Sequence, residues 1–111
     1  MDKQQAMIHI YICTNDISID ELLYGIEEEG VPYKVKDCQA YDALELGMSA
    51  ATDSNLEIGI GITNDEIIVN HQKRKTYEPI YSISRADFYD LRLIGNNAAR
   101  LVKGMPLKQV N

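Results

Sequence analysis

The chain has 111 residues, of which 45% are hydrophobic and 25% charged, and its formal net charge is −6. This length suits one domain with a single core and is too short for two. The negative charge disfavours nucleic acid or an anionic membrane as the main partner. No apolar run approaches the roughly 18 residues that a membrane span needs. We therefore predict one domain over residues 1–111, with a short tail from about residue 105, that binds neither nucleic acid nor membrane.

The N-terminal residues and the cysteines indicate the cellular compartment. Residues 1–5 lead into a strand-like segment without the layout of a signal peptide. Cys13 and Cys38 are the only two cysteines, and their spacing is not typical of a metal site. We interpret them as reduced cysteines of a cytoplasmic protein rather than as a disulfide framework.

The first strand and the first helix have clear signals. Residues 7–13 are rich in β-branched and aromatic side chains, which predicts a mostly buried strand. Ser18 and Glu21 have the spacing of a capping box and predict the start of a helix. Gly30 and Pro32 predict its end.

The middle of the chain alternates between strands and one further helix. Residues 32–36 predict a short strand near a sheet edge, and a helix is predicted over about residues 41–51. Residues 56–62 predict a third strand. A tight turn at residues 63–65 then leads into an antiparallel fourth strand over residues 66–71.

A fifth strand and a last helix complete the predicted fold. The strand covers residues 80–83, and the helix starts near Ser84 and ends at Gly104 and Pro106. The order βαβαβββα combines right-handed parallel crossovers with one hairpin, so helices can cover both faces of the sheet. We predict an α/β fold of three layers (α/β/α), with a mixed five-stranded sheet in which one strand is antiparallel.

Three consecutive carboxylates, Glu27, Glu28 and Glu29, stand at the end of the predicted first helix. The negative end of the helix dipole favours cations, and each carboxylate there costs about 0.3–1 kcal/mol. Helical geometry places Glu28 nearly opposite the apolar stripe, facing away from its own domain, and Glu27 and Glu29 on the flanks of the stripe. The run is either a solvated acidic helix end or a ligand for a hard cation such as Mg²⁺ or Ca²⁺.

Other conspicuous residues favour structural interpretations. Gly59 and Gly61 lie within a strand and lack the context of a phosphate-binding loop, so we interpret them as positions of close backbone approach. His9 and His71 lie in separate strands without a paired nucleophile or a metal-type spacing. We expect no catalysis by this chain alone.

Two polar segments near the C-terminus remain open to more than one interpretation. Lys73-Arg74-Lys75 is either a solvated loop or a contact for an acidic partner. In the last helix, Asn96 or Asn97 is a candidate cap for a restarted helix. The small residues of this helix permit close packing, and its cations lie near the C-terminal end, where the dipole favours them. These residues are Gly95, Ala98, Ala99, Arg100 and Lys103.

Two segments closely resemble the small subunit of the glycerol/diol dehydratase reactivating factor. They are residues 25–33 (Gly-Ile-Glu-Glu-Glu-Gly-Val-Pro-Tyr) and residues 97–106 (Asn-Ala-Ala-Arg-Leu-Val-Lys-Gly-Met-Pro). The Gly-Ile-Gly-Ile strand and His71 after the next strand follow the same pattern, so the resemblance spans nearly the whole chain. It implies a Rossmann-like three-layer domain with a mixed sheet.

The resemblance also implies a function. Such factors rescue adenosylcobalamin-dependent dehydratases that have been inactivated during turnover or by glycerol. The large subunit is a chaperone-like ATPase, and the small subunit resembles the medium subunit of the dehydratase. Exchange of the similar subunits opens the dehydratase so that damaged cobalamin leaves. The implied role of this chain is a non-catalytic adaptor with two partners: the large ATPase subunit and, transiently, the dehydratase large subunit. The resemblance does not decide between a location in the free cytosol and one in a microcompartment. It also does not decide between glycerol and propanediol metabolism.

In that family the middle carboxylate of the acidic run reaches a divalent cation, Mg²⁺ or Ca²⁺, at the interface with the large subunit. The resemblance therefore implies that Glu28 is a metal ligand and that Glu27, Glu28 and Glu29 form part of the interface. It implies no catalytic residue and no nucleotide or cobalamin bound by this chain alone. The loop at residues 73–78 departs from the family sequence, so its contacts are not carried over.

The main alternative is a short medium subunit of the cobalamin-dependent dehydratase itself, which shares the fold but is normally longer. A base-off cobalamin-binding domain is excluded, since residues 14–18 lack the Asp-x-His-x-x-Gly loop. A phosphoacceptor receiver is excluded as well, since no Asp ends the third strand.

Overall fold

A computed structural model describes residues 5–39, 42–88 and 90–109. In chain order the elements are β1 (Ile8–Cys13), α1 (Asp20–Glu28), β2 (Tyr33–Asp37), α2 (Ala43–Asp53), β3 (Ile58–Thr63), β4 (Glu66–His71), β5 (Tyr81–Ser84), a single 3₁₀ turn (Arg85–Asp87) and α3 (Leu91–Lys103). The predicted order of strands and helices is confirmed. Within the described ranges, no helix is long and apolar enough to cross a membrane.

The five strands form one mixed sheet in the order β2-β1-β3-β4-β5. Strand β1 pairs in parallel with β2 on one side and with β3 on the other. Strand β4 is antiparallel to both β3 and β5. One strand therefore runs against the other four, as the sequence predicted.

Helices lie on both faces of this sheet because alternate side chains of each strand point to opposite faces. Helices α1 and α3 cover one face, where β-branched side chains of β1, β3 and β4 are buried with apolar residues of the two helices. The core of that face includes Ile8, Ile10, Ile12, Leu22, Ile26, Ile58, Ile60, Ile62, Ile67, Val69, Ile94 and Ala98. Helix α2 lies on the other face, against Tyr11.

Glycines in β3 allow α2 to approach the sheet closely. A Cβ atom at Gly59 would overlap the backbone nitrogen of Ala51, and one at Gly61 would overlap the backbone nitrogen of Gly47. Such overlap with backbone atoms cannot be relieved by a side-chain rotation. The interpretation of these glycines as positions of close approach is confirmed.

The start of the first helix differs from the prediction. Helix α1 begins at Asp20 after Ile19, and no side chain caps it, so the predicted capping box of Ser18 and Glu21 is wrong. Asp20 and Glu21 instead place negative charge at the positive end of the helix dipole. Helix α2 is capped by Asp42, whose carboxylate accepts a hydrogen bond from the backbone of Leu44 at 2.9 Å. Residue 41, the predicted start, lies outside the described residues.

The last helix also begins later than predicted. After β5 the chain makes the 3₁₀ turn at Arg85–Asp87, and α3 starts only at Leu91. Asp90 caps α3 by accepting a hydrogen bond from the backbone of Leu93 at 3.3 Å. The prediction of a helix from Ser84 is wrong because an aspartate cap further along the chain starts the α-helix. Gly104 ends α3 in the left-handed conformation with φ of 67°.

Candidate functional site

The acidic end of α1 is positioned by direct backbone contact between α1 and α3. Gly25 of α1 lies against the carbonyl oxygen of Arg92, and Gly95 of α3 lies against the carbonyl oxygen of Leu22. A Cβ atom at either glycine would overlap that oxygen. The predicted close packing through small residues of the last helix is thus confirmed, and it places the acidic run beside the cationic side of α3.

Glu29 is held by two cations of α3. Its side chain is only 9% exposed, and its two carboxylate oxygens each lie 3.0 Å from a cation, one from Arg100 Nε and the other from Lys103 Nζ. Lys103 also donates to the backbone carbonyl of Glu29 at 2.7 Å. These hydrogen bonds, that of Lys103 first and then that of Arg100, lower the pKa of Glu29. The last turn of α1 contains no basic residue, so α3 supplies the positive charge that the helix end lacks.

Glu27 is paired within its own segment of chain. Its carboxylate accepts a hydrogen bond from the hydroxyl of Tyr33 at 2.7 Å. This bond is the main reason why the pKa of Tyr33 is raised. Glu27 itself is exposed, so the pair lies at the surface.

Glu28 has longer contacts than its two neighbours. Its side chain is 50% exposed; one oxygen accepts from Asn96 Nδ2 at 3.3 Å and the other lies 3.8 Å from an Arg92 nitrogen. Arg92 is held more closely by Glu21, at 3.1 Å, and lies over the ring of Tyr24. The prediction that Glu28 faces away from its own domain is therefore wrong in part, because α3 lies alongside α1. The carboxylate faces both solvent and α3.

Asn96 and Asn97 do not cap a restarted helix, because both are buried in the middle of an unbroken α3. Asn96 donates to the carbonyl of Gly25 at 2.7 Å and accepts from Lys108 Nζ at 3.0 Å. The side chain of Asn97 makes two hydrogen bonds to the backbone of Lys108: it donates to the carbonyl at 2.9 Å and accepts from the N–H at 2.7 Å. These bonds fasten the C-terminal tail onto α3. The available signal was that asparagine is unfavourable inside a helix, so an adjacent pair there indicates specific side-chain contacts.

The two histidines lie in separate strands, His9 in β1 and His71 in β4. His71 Nε2 lies 3.4 Å from Glu57, and its Nδ1 accepts from the backbone of Lys73 at 3.0 Å. Burial lowers the pKa of His9. Across the described ranges, no group of three or more His, Cys, Asp and Glu side chains is arranged to hold a metal ion.

The basic triplet is partly fixed by the loop that contains it. Arg74 Nε donates to the carbonyl of Glu78 at 2.8 Å, and the ammonium of Lys73 lies 3.8 Å from Glu57. The buried side chain of Asn70 donates to the carbonyl of Lys75 at 3.2 Å. All three basic residues remain exposed, so both interpretations of the loop stay open.

Residues 6–108 match the sequence model of the dehydratase medium subunit family. The chain belongs to this family. The match covers every strand and helix described above, including both segments that suggested the resemblance.

Similar proteins include reactivating factors and their small subunits. The chain is 37% identical over 90 residues to the propanediol dehydratase-reactivating factor small subunit of Citrobacter freundii, covering 80% of this chain and 78% of the relative. It superposes on a chain of glycerol dehydratase reactivase with a TM-score of 0.88 and 33% identity, covering 96% of this chain and 100% of the other. A chain of diol dehydratase-reactivating factor complexed with ADP and Mg²⁺ gives the same TM-score and coverage at 30% identity. The resemblance to reactivating-factor small subunits is thereby confirmed.

Proposed function

We propose that this chain is the non-catalytic small subunit of a reactivating factor for an adenosylcobalamin-dependent glycerol or diol dehydratase. In this proposal it forms a heteromer with a larger ATPase subunit and acts as an adaptor. The observation that carries the proposal is the match over almost the whole chain to reactivating-factor proteins, in sequence and in fold.

The proposed mechanism is exchange with the medium subunit of the dehydratase. The family to which the chain belongs is that of the dehydratase medium subunit. This supports mimicry of the medium subunit by this chain. In this mechanism the chain takes the place of the medium subunit beside the dehydratase large subunit, and the damaged cobalamin leaves through the opened assembly. Helices on both faces of the mixed sheet support a three-layer, Rossmann-like description of the shared domain.

We further propose Glu28 as the one ligand that this chain contributes to a divalent cation at the interface with the large subunit. The contacts within the acidic run support Glu28 over its neighbours. Glu29 is engaged by two cations at 3.0 Å, and Glu27 accepts a hydrogen bond from Tyr33 at 2.7 Å. On binding a cation, the half-exposed carboxylate of Glu28 would lose only contacts of 3.3 Å or longer.

The chemistry of the acidic surface supports the same proposal. Carboxylate oxygens are preferred ligands of Mg²⁺ and Ca²⁺, which need several ligands in all. The described residues supply no cluster that would complete such a site, so the remaining ligands would come from the partner and water. Arg92 would not compete with the cation strongly, because Glu21 holds it. In this proposal Glu27 and Glu29 belong to the same interface with the large subunit.

The alternative function, a short medium subunit of the dehydratase itself, is less favoured. The relatives reported above are named as reactivating-factor proteins, and this chain covers the full length of the reactivase chain it superposes on.

The deciding experiment combines this chain with the large subunit of a reactivating factor and, separately, with the dehydratase subunits. We expect a stable heteromer on size-exclusion chromatography and ATP-dependent recovery of glycerol-inactivated dehydratase when adenosylcobalamin is supplied. Separation of the two chains at micromolar concentration would contradict the proposal. Diol turnover on adding this chain to a dehydratase without its medium subunit would instead support the alternative.

A further inference from the structure

The pairing of β1 with β2 brings the two cysteines of the chain side by side. Strand β1 ends at Cys13, and Cys38 directly follows β2. Ile12 is the register partner of Asp37, and the backbone of Cys38 donates to the carbonyl of Ile12 at 2.9 Å, which continues the parallel ladder by one residue. Cys13 therefore lies opposite Cys38. Neighbouring strands are about 4.8 Å apart, which is within the range of about 4.4–6.8 Å between the Cα atoms of a disulfide.

Both thiols also point to the same face of the sheet. They pack against the cluster formed by Tyr11, Leu46 and Ala50 on the side of α2. Both cysteines are free and half-buried, so a small oxidant can reach them. The thiol of Cys38 donates only a long hydrogen bond, 3.7 Å, to the carbonyl of Lys36, and such a bond is easily given up.

We infer that Cys13 and Cys38 form a redox-modification site, a dithiol pair that a low-molecular-mass disulfide such as glutathione disulfide converts into an intramolecular disulfide. One cysteine thiolate attacks a sulfur of glutathione disulfide, and a glutathione thiolate leaves. The thiolate of the second cysteine then attacks the protein sulfur of the mixed disulfide and expels a second glutathione. The two cysteines lose two protons and two electrons, and one glutathione disulfide is reduced to two glutathione molecules.

In a reducing compartment both cysteines stay reduced. The disulfide forms when the glutathione pool becomes oxidised. The bond ties the edge strand β2 to the end of β1, and the closed loop contains α1 and the acidic run of Glu27, Glu28 and Glu29. Burial raises the pKa of Cys38, so little of this thiol is ionised at neutral pH. Because the thiolate is the reacting form, the disulfide should form faster at alkaline pH.

The full chain is equilibrated with mixtures of reduced and oxidised glutathione, quenched with acid and analysed by intact mass and peptide mapping. We expect the loss of two hydrogen atoms, a peptide link between Cys13 and Cys38, and a rise in Tm of roughly 5 °C or more. A wild-type protein that carries two glutathionyl groups, or that forms a disulfide-linked dimer, would overturn the inference.

A matched control moves one thiol out of register. The double variant Asp37→Cys/Cys38→Ser keeps two thiols, but residue 37 lies opposite Ile12 and points to the other face. It should become glutathionylated without closing a disulfide, and Cys38→Ser should accept one glutathionyl group. If the wild type stays a dithiol under conditions that glutathionylate Cys38→Ser, or if the out-of-register variant closes as readily, the inference is wrong.

Discussion

The carboxylate of Glu29, at the end of α1, lies 3.0 Å from Nε of Arg100 in α3. The two residues belong to the two sequence segments that resemble the reactivating-factor family, so these segments are in direct contact. The ion pair also neutralises the unfavourable charge at the end of α1. The cationic partner that the acidic run requires is therefore supplied by the chain itself, and Glu28 is the carboxylate left with the longest contacts.

Glu29 should contribute stability that depends on pH. Lys103, and then Arg100, lower its pKa below the ordinary value of 4.5. A lowered carboxyl pKa in the folded state stabilises the protein above the pKa of the unfolded chain, and this contribution is lost as the pH falls through the folded value. We expect Glu29→Gln to lower the Tm at pH 7 and to have a progressively smaller effect as the pH falls below 4.5, measured by thermal unfolding. The exposed carboxylate Glu78, in the loop before β5, provides the control Glu78→Gln. If Glu29→Gln lowered the Tm equally at pH 7 and well below pH 4.5, the pH-dependent stability could not be assigned to Glu29.

Contact between the backbones of α1 and α3 makes Gly95 sensitive to any side chain. Gly95→Ala places a Cβ atom on the carbonyl oxygen of Leu22 and should lower the free energy of unfolding by about 3 kcal/mol. A loss of stability would be informative because alanine by itself is favoured over glycine in a helix by about 1 kcal/mol. Ser49→Ala, on the exposed side of α2, is the control and should change stability little. Urea unfolding measures both, and a stabilised Gly95→Ala would show that the helices are further apart.

Asn97 should hold the C-terminal tail in place. Asn97→Ala removes both hydrogen bonds to the backbone of Lys108 and should cost about 1–3 kcal/mol. It should also speed proteolysis within residues 105–109. Asn55→Ala, at an exposed position, serves as the control. Unchanged cleavage of the tail in Asn97→Ala would mean that other contacts hold it.

Glu28→Gln tests the proposed interface cation. The amide keeps the shape of the side chain but is a poor ligand for a hard cation, so the affinity for the large subunit in Mg²⁺ should fall by about tenfold or more, equivalent to about 1.4 kcal/mol. Chelation of the metal should weaken the wild type to the level of the variant. Glu45→Gln, at an exposed position of α2 on the other face of the sheet, is the control and should leave the affinity unchanged; titration calorimetry measures the wild type and both variants. An unchanged affinity of Glu28→Gln in Mg²⁺ would remove Glu28 from the proposed site while leaving the adaptor function in place.

Local sequence signals were sufficient for most elements of the fold. The alternating isoleucines and glycines of β3 identified a buried strand, and the glycines were correctly interpreted as positions of close approach. The start of α3 was missed because both Ser84 and Asp90 can cap a helix and only the folded chain chooses between them. The role of Asn97 was missed because its partner, Lys108, lies in a tail with little pattern of its own.

The sequence by itself determined the order of strands and helices, the single antiparallel strand and the family, because each depends on local periodicity or on contiguous motifs. Only the tertiary structure decided which groups each of the three carboxylates contacts. Helical geometry states in which direction a side chain leaves its helix, but not which element lies there. Arg100 and Lys103 are more than 70 residues away from Glu29 in the chain, and the contact of Gly25 and Gly95 with the facing helix brings them beside it.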